Sequence, residues 1–358
     1  MKNNIYIFSN TILSRKDNSI LLKTIPNSES IHQADIFEDE IDGVILPPSN
    51  GHEPIQIKHL PAESIDSIYS FGEVKFNTQF FKCLSNYGIT VNIFNYYGQY
   101  VGSFLPINKD SSGKIHILQY KSYCDESDRL YVAKAILITA IKNILANLKS
   151  YLYSGNNLEN YINQISSLLE QMRFSDSIEN LMGIEGNARN IYYQSWGEIL
   201  KQESDFEKRI KHPPIGMINS LISFGNSLLY AVCINEIFRT KLTPYVGFIH
   251  ETGDGKHPLV YDIAEIFKPV IVDKVIFRVI NLNMITKDDF KKTSKGYYLK
   301  DEARKIFVEE FEKRLSSIIH HNRLNRRISY RSIIRMECYN LINYLSGKLN
   351  SYEPYRAE

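Results

Sequence analysis

Two polar side chains in the second half of the chain have types that could bind a metal ion or move a proton. Glu185 lies between Gly183 and Gly186, where the pattern predicts the start of a helix. His250 ends an apolar run and precedes the glycine-rich loop TGDGKHP. An acid near a helix start is usually a cap or a dipole partner, so its position alone does not indicate chemistry.

A third group of charged residues follows in the stretch LVYDIAEIFKP. Asp262 and Glu265 are three residues apart, and Lys268 follows three residues later. If the stretch is helical, this spacing places all three side chains on one face. A face with two acids and one base could hold a cation and contact a phosphate.

Glu185, His250 and Glu265 together would supply two carboxylates and one imidazole. Carboxylate oxygens suit hard divalent cations, and one imidazole among them favours Mn²⁺ over Mg²⁺. Their separations along the chain match no short ligand motif. The residue types alone therefore favour the alternative of a capping acid, a core histidine bonded to a carbonyl and a solvated acidic helix face.

Composition and missing motifs exclude several other classes. The chain of 358 residues is 43% hydrophobic and carries a net charge of +2, so any nucleic-acid partner must meet a local basic patch. It has no GxxxxGK[ST] loop, no GxGxxG opening a helix and no GxSxG elbow. The N-terminus lacks a signal-peptide pattern and no stretch is expected to span a membrane, which predicts a soluble cytoplasmic protein. Scattered cysteines predict buried thiols rather than disulfides or a zinc site: Cys83, Cys124, Cys233 and Cys338.

The elements that must position these residues fall into two parts. Residues 1–106 predict a β-rich domain, with a hairpin around Lys16-Asp17-Asn18, two short strands within 42–61 and further strands around 95–98. One helix is predicted over NTQFFKCLSNYG and ends at Gly88.

Residues 107–358 predict an all-α-helical catalytic domain, so the fold class is α+β. Apolar residues three and four apart recur through this half. The stretch GMINSLISFGNSLLYAVCINEIFRTKL is apolar nearly all round, so we expect its helix at the centre of a bundle. The tail NSYEPYRAE predicts a loosely held end.

A basic run near the C-terminus could bind the phosphates of a nucleic acid. From Glu312 to Arg335 the chain has seven basic side chains and one acid, a pattern typical of either phosphate contact or a solvated helix face. Arg189, one helical turn after Glu185, is another phosphate candidate. The basic residues of the run are Lys313, Arg314, Arg323, Arg326, Arg327, Arg331 and Arg335.

Several long motifs, in fixed order, resemble those of the spacer-acquisition family of CRISPR adaptation, CRISPR-associated endonuclease one. The resemblance covers nearly the whole chain, which makes it more specific than any single motif. The stretches that carry it are LPAESIDSIYSFGEVKFNTQFFKCLSNYGITVNIFNYYGQYVGSF, GIEGNARNIYYQSW, HPPIGMINSLISFGNSLLYAVCINEIF, GFIHE, LVYDIAEIFKP, GYYLKDEARKIFVEEFEKRL and ISYRSIIR.

The resemblance implies a metal site, with Mn²⁺ or Mg²⁺ as cofactor. The metal-binding Glu, His and acid of the family fall on Glu185, His250 and Glu265, and no ligand position is lost. Asp262 matches an acid that supports the site, and Lys268 matches a basic position near the phosphates.

The implied function is integration of new spacer DNA into a CRISPR array by attack of a 3′-hydroxyl on a repeat phosphodiester. The implied partners are protospacer and repeat DNA, double-stranded or branched, a second copy of the chain paired through the β-rich domain, and a small dimeric companion adaptation protein. No membrane partner is expected. Two alternatives remain open at this point: a structure-selective nuclease for branched DNA, and a catalytically silent DNA-binding scaffold.

Overall fold

The structure is a computed structural model that describes residues 2–25, 56–107, 111–202, 206, 208–210, 213–254, 256–293 and 296–357. The chain forms two compact units, Met1–Lys109 and Asp110–Glu358. This division lies close to the boundary predicted after residue 106. The first unit is rich in strands and the second in helices, which confirms the α+β class.

The first unit contains two four-stranded sheets within its described residues. One sheet has the strand order β1-β5-β7-β8 and the other β4-β3-β2-β6. The strands are β1 Asn3–Ile7, β2 Thr11–Lys16, β3 Ser19–Thr24, β4 Gln56–Pro61, β5 Ile65–Ser70, β6 Val74–Phe76, β7 Thr90–Phe94 and β8 Tyr100–Phe104.

The predicted hairpin and helix of this unit are confirmed. Strands β2 and β3 pair with Lys16 opposite Ser19, across a turn in which Asp17 has a φ of 51°. Helix α1 (Thr78–Tyr87) ends at Gly88, whose φ of 67° suits a residue without a Cβ. The sequence before this turn forms two strands, β1 and β2, which belong to different sheets. Of the two strands predicted within 42–61, β4 is present and the first lies outside the described residues.

The second unit is built mainly from helices. Its described helices are α2 Gly113–Cys124, α3 Glu126–Leu152, α4 Glu159–Arg173, α5 Ile178–Gln194, α6 Trp196–Ile199, α7 Met217–Phe238, α8 Pro258–Phe267, α9 Lys274–Asn281, α10 Asp301–Ser316 and α11 Tyr330–Leu345. A π-helical turn, Lys268–Asp273, joins α8 to α9. Short 3-10 turns occupy Ala62–Ser64 in the first unit and Lys287–Asp289 and Asn322–Leu324 in the second.

Helix α7 is buried around most of its circumference, as its apolar pattern predicts. Gly225 permits its close packing, since a Cβ there would lie 2.6 Å from Val272 Cγ1. Helices α3 and α7 are long and apolar enough to cross a membrane by length and composition alone. Their most apolar windows are 61% and 83% buried inside the protein, so packing accounts for their composition.

The expectation of an all-helical second domain is wrong in two places. Strands β9 (Phe290–Thr293) and β10 (Gly296–Leu299) pair antiparallel, and so do β11 (Ile318–His321) and β12 (Arg326–Ser329). The second pair occupies the middle of the basic run. The β-branched isoleucines of β11 and β12 favour strands, and Asn325 between the strands has a φ of 45°, which a helix does not accommodate.

The C-terminal tail is docked, so the prediction of a loosely held end is wrong. Tyr352 and Tyr355 are buried. The backbone N–H of Tyr355 donates to Glu337 Oε2 at 2.7 Å, and that of Ala357 donates to Asn143 Oδ1 at 2.8 Å. Side chains of distant helices therefore hold the tail. The cysteine prediction also needs one correction, because Cys124 is exposed while the other three thiols are buried.

Candidate functional site

Helix α5 carries Glu185 well inside its length rather than at its start. The helix begins after Ser177, whose hydroxyl accepts a hydrogen bond from the backbone N–H of Asn180 at 3.2 Å. The predicted position of Glu185 at a helix start is therefore wrong. Gly183 and Gly186 both lie inside this helix, where each glycine costs about 1 kcal/mol of helix stability relative to alanine. A Cβ at Gly183 or Gly186 would meet no described atom within 4 Å, so the helix surface beside Glu185 is open.

Asp262 organises the turn that presents His250. Its two carboxylate oxygens accept backbone N–H bonds from Phe248, Ile249 and His250, and Oδ1 lies 2.7 Å from His250 Nδ1. Gly247 is required by this arrangement, because a Cβ there would lie 2.8 Å from Asp262 Oδ2. The buried carboxylate favours the tautomer with the proton on Nδ1, which leaves the lone pair on Nε2 for a ligand. The His250 side chain is 35% exposed.

Arg189 joins the two remaining candidate ligands. Its Nε lies 2.6 Å from Glu185 Oε1 and its terminal nitrogen lies 2.7 Å from Glu265 Oε2. All three side chains are mostly buried, with exposed fractions between 11% and 17%. Lys268 Nζ donates to the other oxygen of Glu265. The predicted face with Glu265 and Lys268 therefore exists, and Arg189 connects it to α5.

The charges of this cluster act strongly on one another. Burial alone would raise the pKa of Glu265, but the ammonium of Lys268 and the guanidinium of Arg189 lower it to about 2. The structure thus joins Glu185 to Glu265 through Arg189, while His250 is held by Asp262, which lies on the same helix α8 as Glu265.

The residues present fit a divalent cation by their chemistry. Two carboxylates contact the same guanidinium, and Asp262 holds the ring of His250 in a carboxylate–histidine pair typical of metal-binding histidines. In the described part of the chain, no three acid, histidine or cysteine side chains stand close enough together to enclose an ion. Ion binding would therefore require the guanidinium of Arg189 to leave the carboxylates.

Two tyrosines that the sequence did not single out line the site. Lys268 Nζ lies 5.4 Å from the ring centroid of Tyr230, within cation–π range. The Tyr261 ring packs edge-on against both Tyr230 and His250, with centroids 5.0 and 5.5 Å apart. The position of Tyr261 directly before the candidate residue Asp262 could have indicated it in the sequence. Nothing in the sequence distinguished Tyr230 among the 24 tyrosines.

A buried polar network lies behind the site and was also missed. Tyr192 OH donates to Asp273 Oδ2 at 3.0 Å and accepts a bond from Asn147 Nδ2 at 3.2 Å. Burial raises the pKa of Asp273 to about 7, and the Arg189 guanidinium partly offsets this. Asn147 lies in the apolar run of α3, where an isolated amide gives little indication of its partners.

The structure separates the basic run into two kinds of side chain. Some are held in ion pairs inside the unit: Arg331 binds both oxygens of Glu312 at 2.7 and 2.9 Å, and Arg335 Nε lies 2.6 Å from the buried Glu236. Lys313 and Arg314 are likewise engaged, with Glu310 Oε1 at 2.8 Å and with the Val270 carbonyl at 2.8 Å.

The other basic side chains lie on the surface. Arg326 and Arg327 are exposed on β12, and Arg323 is exposed just before it. Arg326 makes a weak contact with Met336 Sδ at 3.6 Å, and Arg323 donates one hydrogen bond to the Glu353 carbonyl at 2.8 Å. A phosphate backbone could approach these three arginines, whereas Lys313, although 58% exposed, is paired with two glutamates of its own helix.

Comparison with known proteins identifies the family. The profile described as "CRISPR associated protein Cas1" matches residues 5–313. The chain is 40% identical to a CRISPR-associated endonuclease Cas1 of Fusobacterium nucleatum over 348 residues, covering 97% of this chain and 95% of that protein. It is 38% identical to a CRISPR-associated endonuclease Cas1 of Clostridium perfringens over 360 residues, covering 100% and 99%.

Solved structures agree with the sequence comparison. A CAS1 protein from Thermotoga maritima superposes with a TM-score of 0.80 at 31% identity, covering 99% of this chain and 100% of the other. A casposase bound to integration product shares the fold, with a TM-score of 0.81 at 22% identity and coverage of 99% and 93%. The resemblance found in the sequence motifs is confirmed, and the chain belongs to the CRISPR-associated Cas1 family.

Proposed function

We propose that this chain is a metal-dependent DNA endonuclease and integrase that inserts new spacer DNA into a CRISPR array. The observation that carries the proposal is the pairing of Glu185 through Arg189 with Glu265, on the same helix α8 whose Asp262 orients the ring of His250. The relatives named as CRISPR-associated endonucleases support it, since they match the chain over nearly its whole length.

Glu185, His250 and Glu265 are the proposed ligands of Mn²⁺ or Mg²⁺. Such an ion polarises a scissile phosphate and stabilises the charge that develops on its oxygens. Two carboxylates and one neutral imidazole leave coordination positions open for water and phosphate. The hydrogen bond from His250 Nδ1 to Asp262 keeps the ring in the tautomer that a ligand requires.

Arg189 and Lys268 are placed to bind the reacting phosphate. Both cations already contact Glu265, and a guanidinium is suited to hold two phosphate oxygens at once. Their N–H groups stabilise the negative charge that grows on the phosphate oxygens during the displacement. The attacking group is the 3′-hydroxyl of the incoming DNA in integration and water in cleavage. Neither route needs a covalent bond to the protein.

Arg323, Arg326 and Arg327 are the proposed contacts with the DNA backbone, because they are exposed on or beside β12. Arg331 was also predicted as a contact, but one of its guanidinium nitrogens contacts both carboxylate oxygens of Glu312, which leaves it less available. Phosphate contacts of this kind position the DNA without reading its sequence.

The proposed assembly is a homodimer formed through the strand-rich unit, joined in the cytoplasm by a small dimeric companion protein. The full chain should then elute as a dimer in size-exclusion chromatography with light scattering, and residues 107–358 alone as a monomer. A dimer formed by the shortened chain would place the interface in the helical unit instead.

The decisive experiment supplies labelled protospacer, a plasmid bearing a CRISPR repeat, Mn²⁺ and the companion protein. Product joined to the repeat, absent after chelation of the metal, is the expected result. Cleavage of branched DNA without any joining would identify a structure-selective nuclease. Binding of DNA without joining or cleavage, equal in the intact chain and its Glu265→Ala variant, would leave only a DNA-binding scaffold.

A further inference from the structure

The segment that follows Glu265 departs from regular α-helix. Helix α8 passes into the π-helical turn Lys268–Asp273, in which Pro269 lacks a backbone N–H and so weakens the ladder of intrahelical bonds. Side chains of α3 donate to carbonyls of this stretch: Asn143 Nδ2 to Ile266 O at 2.9 Å, and Asn147 Nδ2 to Pro269 O at 2.6 Å. The irregular backbone is thus held from outside.

Asn147 has a second partner, on the other helix of the site. Its Nδ2 also donates to Tyr192 OH at 3.2 Å, and Tyr192 belongs to α5, the helix that carries Glu185 and Arg189. Tyr192 in turn donates to Asp273 at the end of the π-helical turn. One buried amide therefore connects the helix of Glu185 with the segment that follows Glu265.

We infer that Asn147 is a positioning residue for the site: through Tyr192 and the Pro269 carbonyl it fixes the spacing between the two carboxylate-bearing helices. This inference rests on the proposed function. An amide is suited to the task because its two N–H groups can serve two acceptors at once. An aliphatic side chain of the same size would remove this connection and leave the bonds of Arg189 to Glu265 and of Tyr192 to Asp273. Displacement of a reacting group by about 1 Å is enough to slow catalysis by roughly 10²-fold.

Loss of stability alone could imitate this effect, so the test needs a matched control. Asn219 is a similar buried amide at the start of α7. It donates to Ile215 O at 2.8 Å and accepts from Ile210 N at 2.9 Å. Among the described residues, none of its side-chain bonds reaches α5, α8 or the π-helical turn. Asn219→Leu therefore removes four side-chain hydrogen bonds, against two for Asn147→Leu, so it is a stringent control for loss of stability.

The experiment compares full-length Asn147→Leu, Asn219→Leu and the unchanged chain. It measures melting temperature, Mn²⁺ affinity by titration calorimetry, DNA affinity, and the single-turnover rate of DNA cleavage. Asn147→Leu should weaken Mn²⁺ binding and slow cleavage by about 10- to 100-fold each, because small displacements of reacting groups have effects of that size, with DNA affinity unchanged. Asn219→Leu should lower the melting temperature but leave Mn²⁺ affinity and rate unchanged. If Asn147→Leu does not fold, Asn147→Ala with Asn219→Ala replaces the pair.

Two outcomes would overturn the inference. In one, the folded Asn147 variant keeps the Mn²⁺ affinity and the rate of the unchanged chain. In the other, the rates of both asparagine variants fall in proportion to their stability. If the chain without substitutions shows no Mn²⁺-dependent cleavage, the proposed function is overturned instead. The Mn²⁺ affinities of the two variants and of that chain would still decide the role of Asn147.

Discussion

The carboxylate cluster and the basic run of the helical unit both concentrate like charges, but they are neutralised in different ways. In the cluster, Glu185 and Glu265 share the guanidinium of Arg189, and all three side chains are mostly buried. In the basic run, Arg331 is paired inside the protein, while Arg326 and Arg327 remain exposed. A count of charges along the sequence therefore overstates the positive surface that DNA can reach.

The two regions should respond differently to substitution. Removal of a buried charge leaves its partners unpaired and unsolvated, which is costly. An exposed cation interacts weakly with its neighbours. Each such cation adds a small contribution to the affinity for DNA, and dissolved salt screens that contribution. Large, all-or-none effects on catalysis should come from the cluster, and graded effects on affinity from the exposed part of the run.

The largest effect is expected from the proposed metal ligands. Glu185→Ala, His250→Ala or Glu265→Ala should each reduce metal-dependent cleavage and joining of DNA to background, because each removes one donor atom for the ion. Product formation at saturating Mn²⁺, with circular dichroism to verify folding, measures this.

Glu310→Ala is the matched control for these variants. Glu310 is also a buried acid between two cations, Arg278 and Lys313, but it lies on α10 outside the cluster. It should cost stability and keep the rate. A ligand variant that retained full activity would show that its side chain does not hold the ion.

A partial effect is expected at Asp262. Asp262→Ala removes the carboxylate that orients the His250 ring, and such changes typically cost about 10- to 100-fold in metal affinity or activity. The rate should therefore lie between those of His250→Ala and the intact chain. Mn²⁺ titrations of the single-turnover rate would show this as a shifted midpoint. A loss as complete as that of His250→Ala would mean that Asp262 itself binds the ion.

A smaller and salt-dependent effect is expected from the exposed arginines. The double variant Arg326→Ala, Arg327→Ala should weaken binding to unrelated DNA sequences equally and flatten the plot of log affinity against log salt by roughly one unit for each phosphate that is no longer neutralised. Arg335→Ala is the control, since its guanidinium pairs with the buried Glu236: it should lower the melting temperature and leave the slope unchanged. An unchanged slope in the double variant would assign these side chains to a merely solvated surface.

The last effect is expected from Asp273 and concerns the pH dependence of stability rather than catalysis or DNA binding. Its neighbours are Tyr192, Arg189, Lys268 and Glu265, and its pKa of about 7 lies above the ordinary value of about 3.9. The folded state therefore binds the proton more tightly, and this group makes stability fall as pH rises from about 4 to 7. Asp273→Asn should remove this pH dependence of the free energy of unfolding. The slope lost is at most about 1.4 kcal/mol per pH unit in that window. Urea unfolding at several pH values measures it, and parallel curves for both proteins would contradict it.

Local structure and the identity of the candidate ligands could both be predicted from the sequence. The hairpin at Asp17, the helix end at Gly88 and the buried helix α7 follow from turn chemistry and apolar periodicity over a few residues. Glu185, His250 and Glu265 were identified by motifs in a fixed order, because each motif is a contiguous stretch that can be compared directly.

How these residues meet depends on tertiary packing. Arg189 contacts Glu265 across 76 positions of the chain, and Asn147 reaches Pro269 across 122. The tail, which composition marks as loose, is held by side chains from distant helices. Such partners are chosen when helices pack, because a buried polar group must find a donor or acceptor nearby in space, wherever that residue stands in the chain. Periodicity and composition report only on neighbours in sequence, so they could not show these contacts.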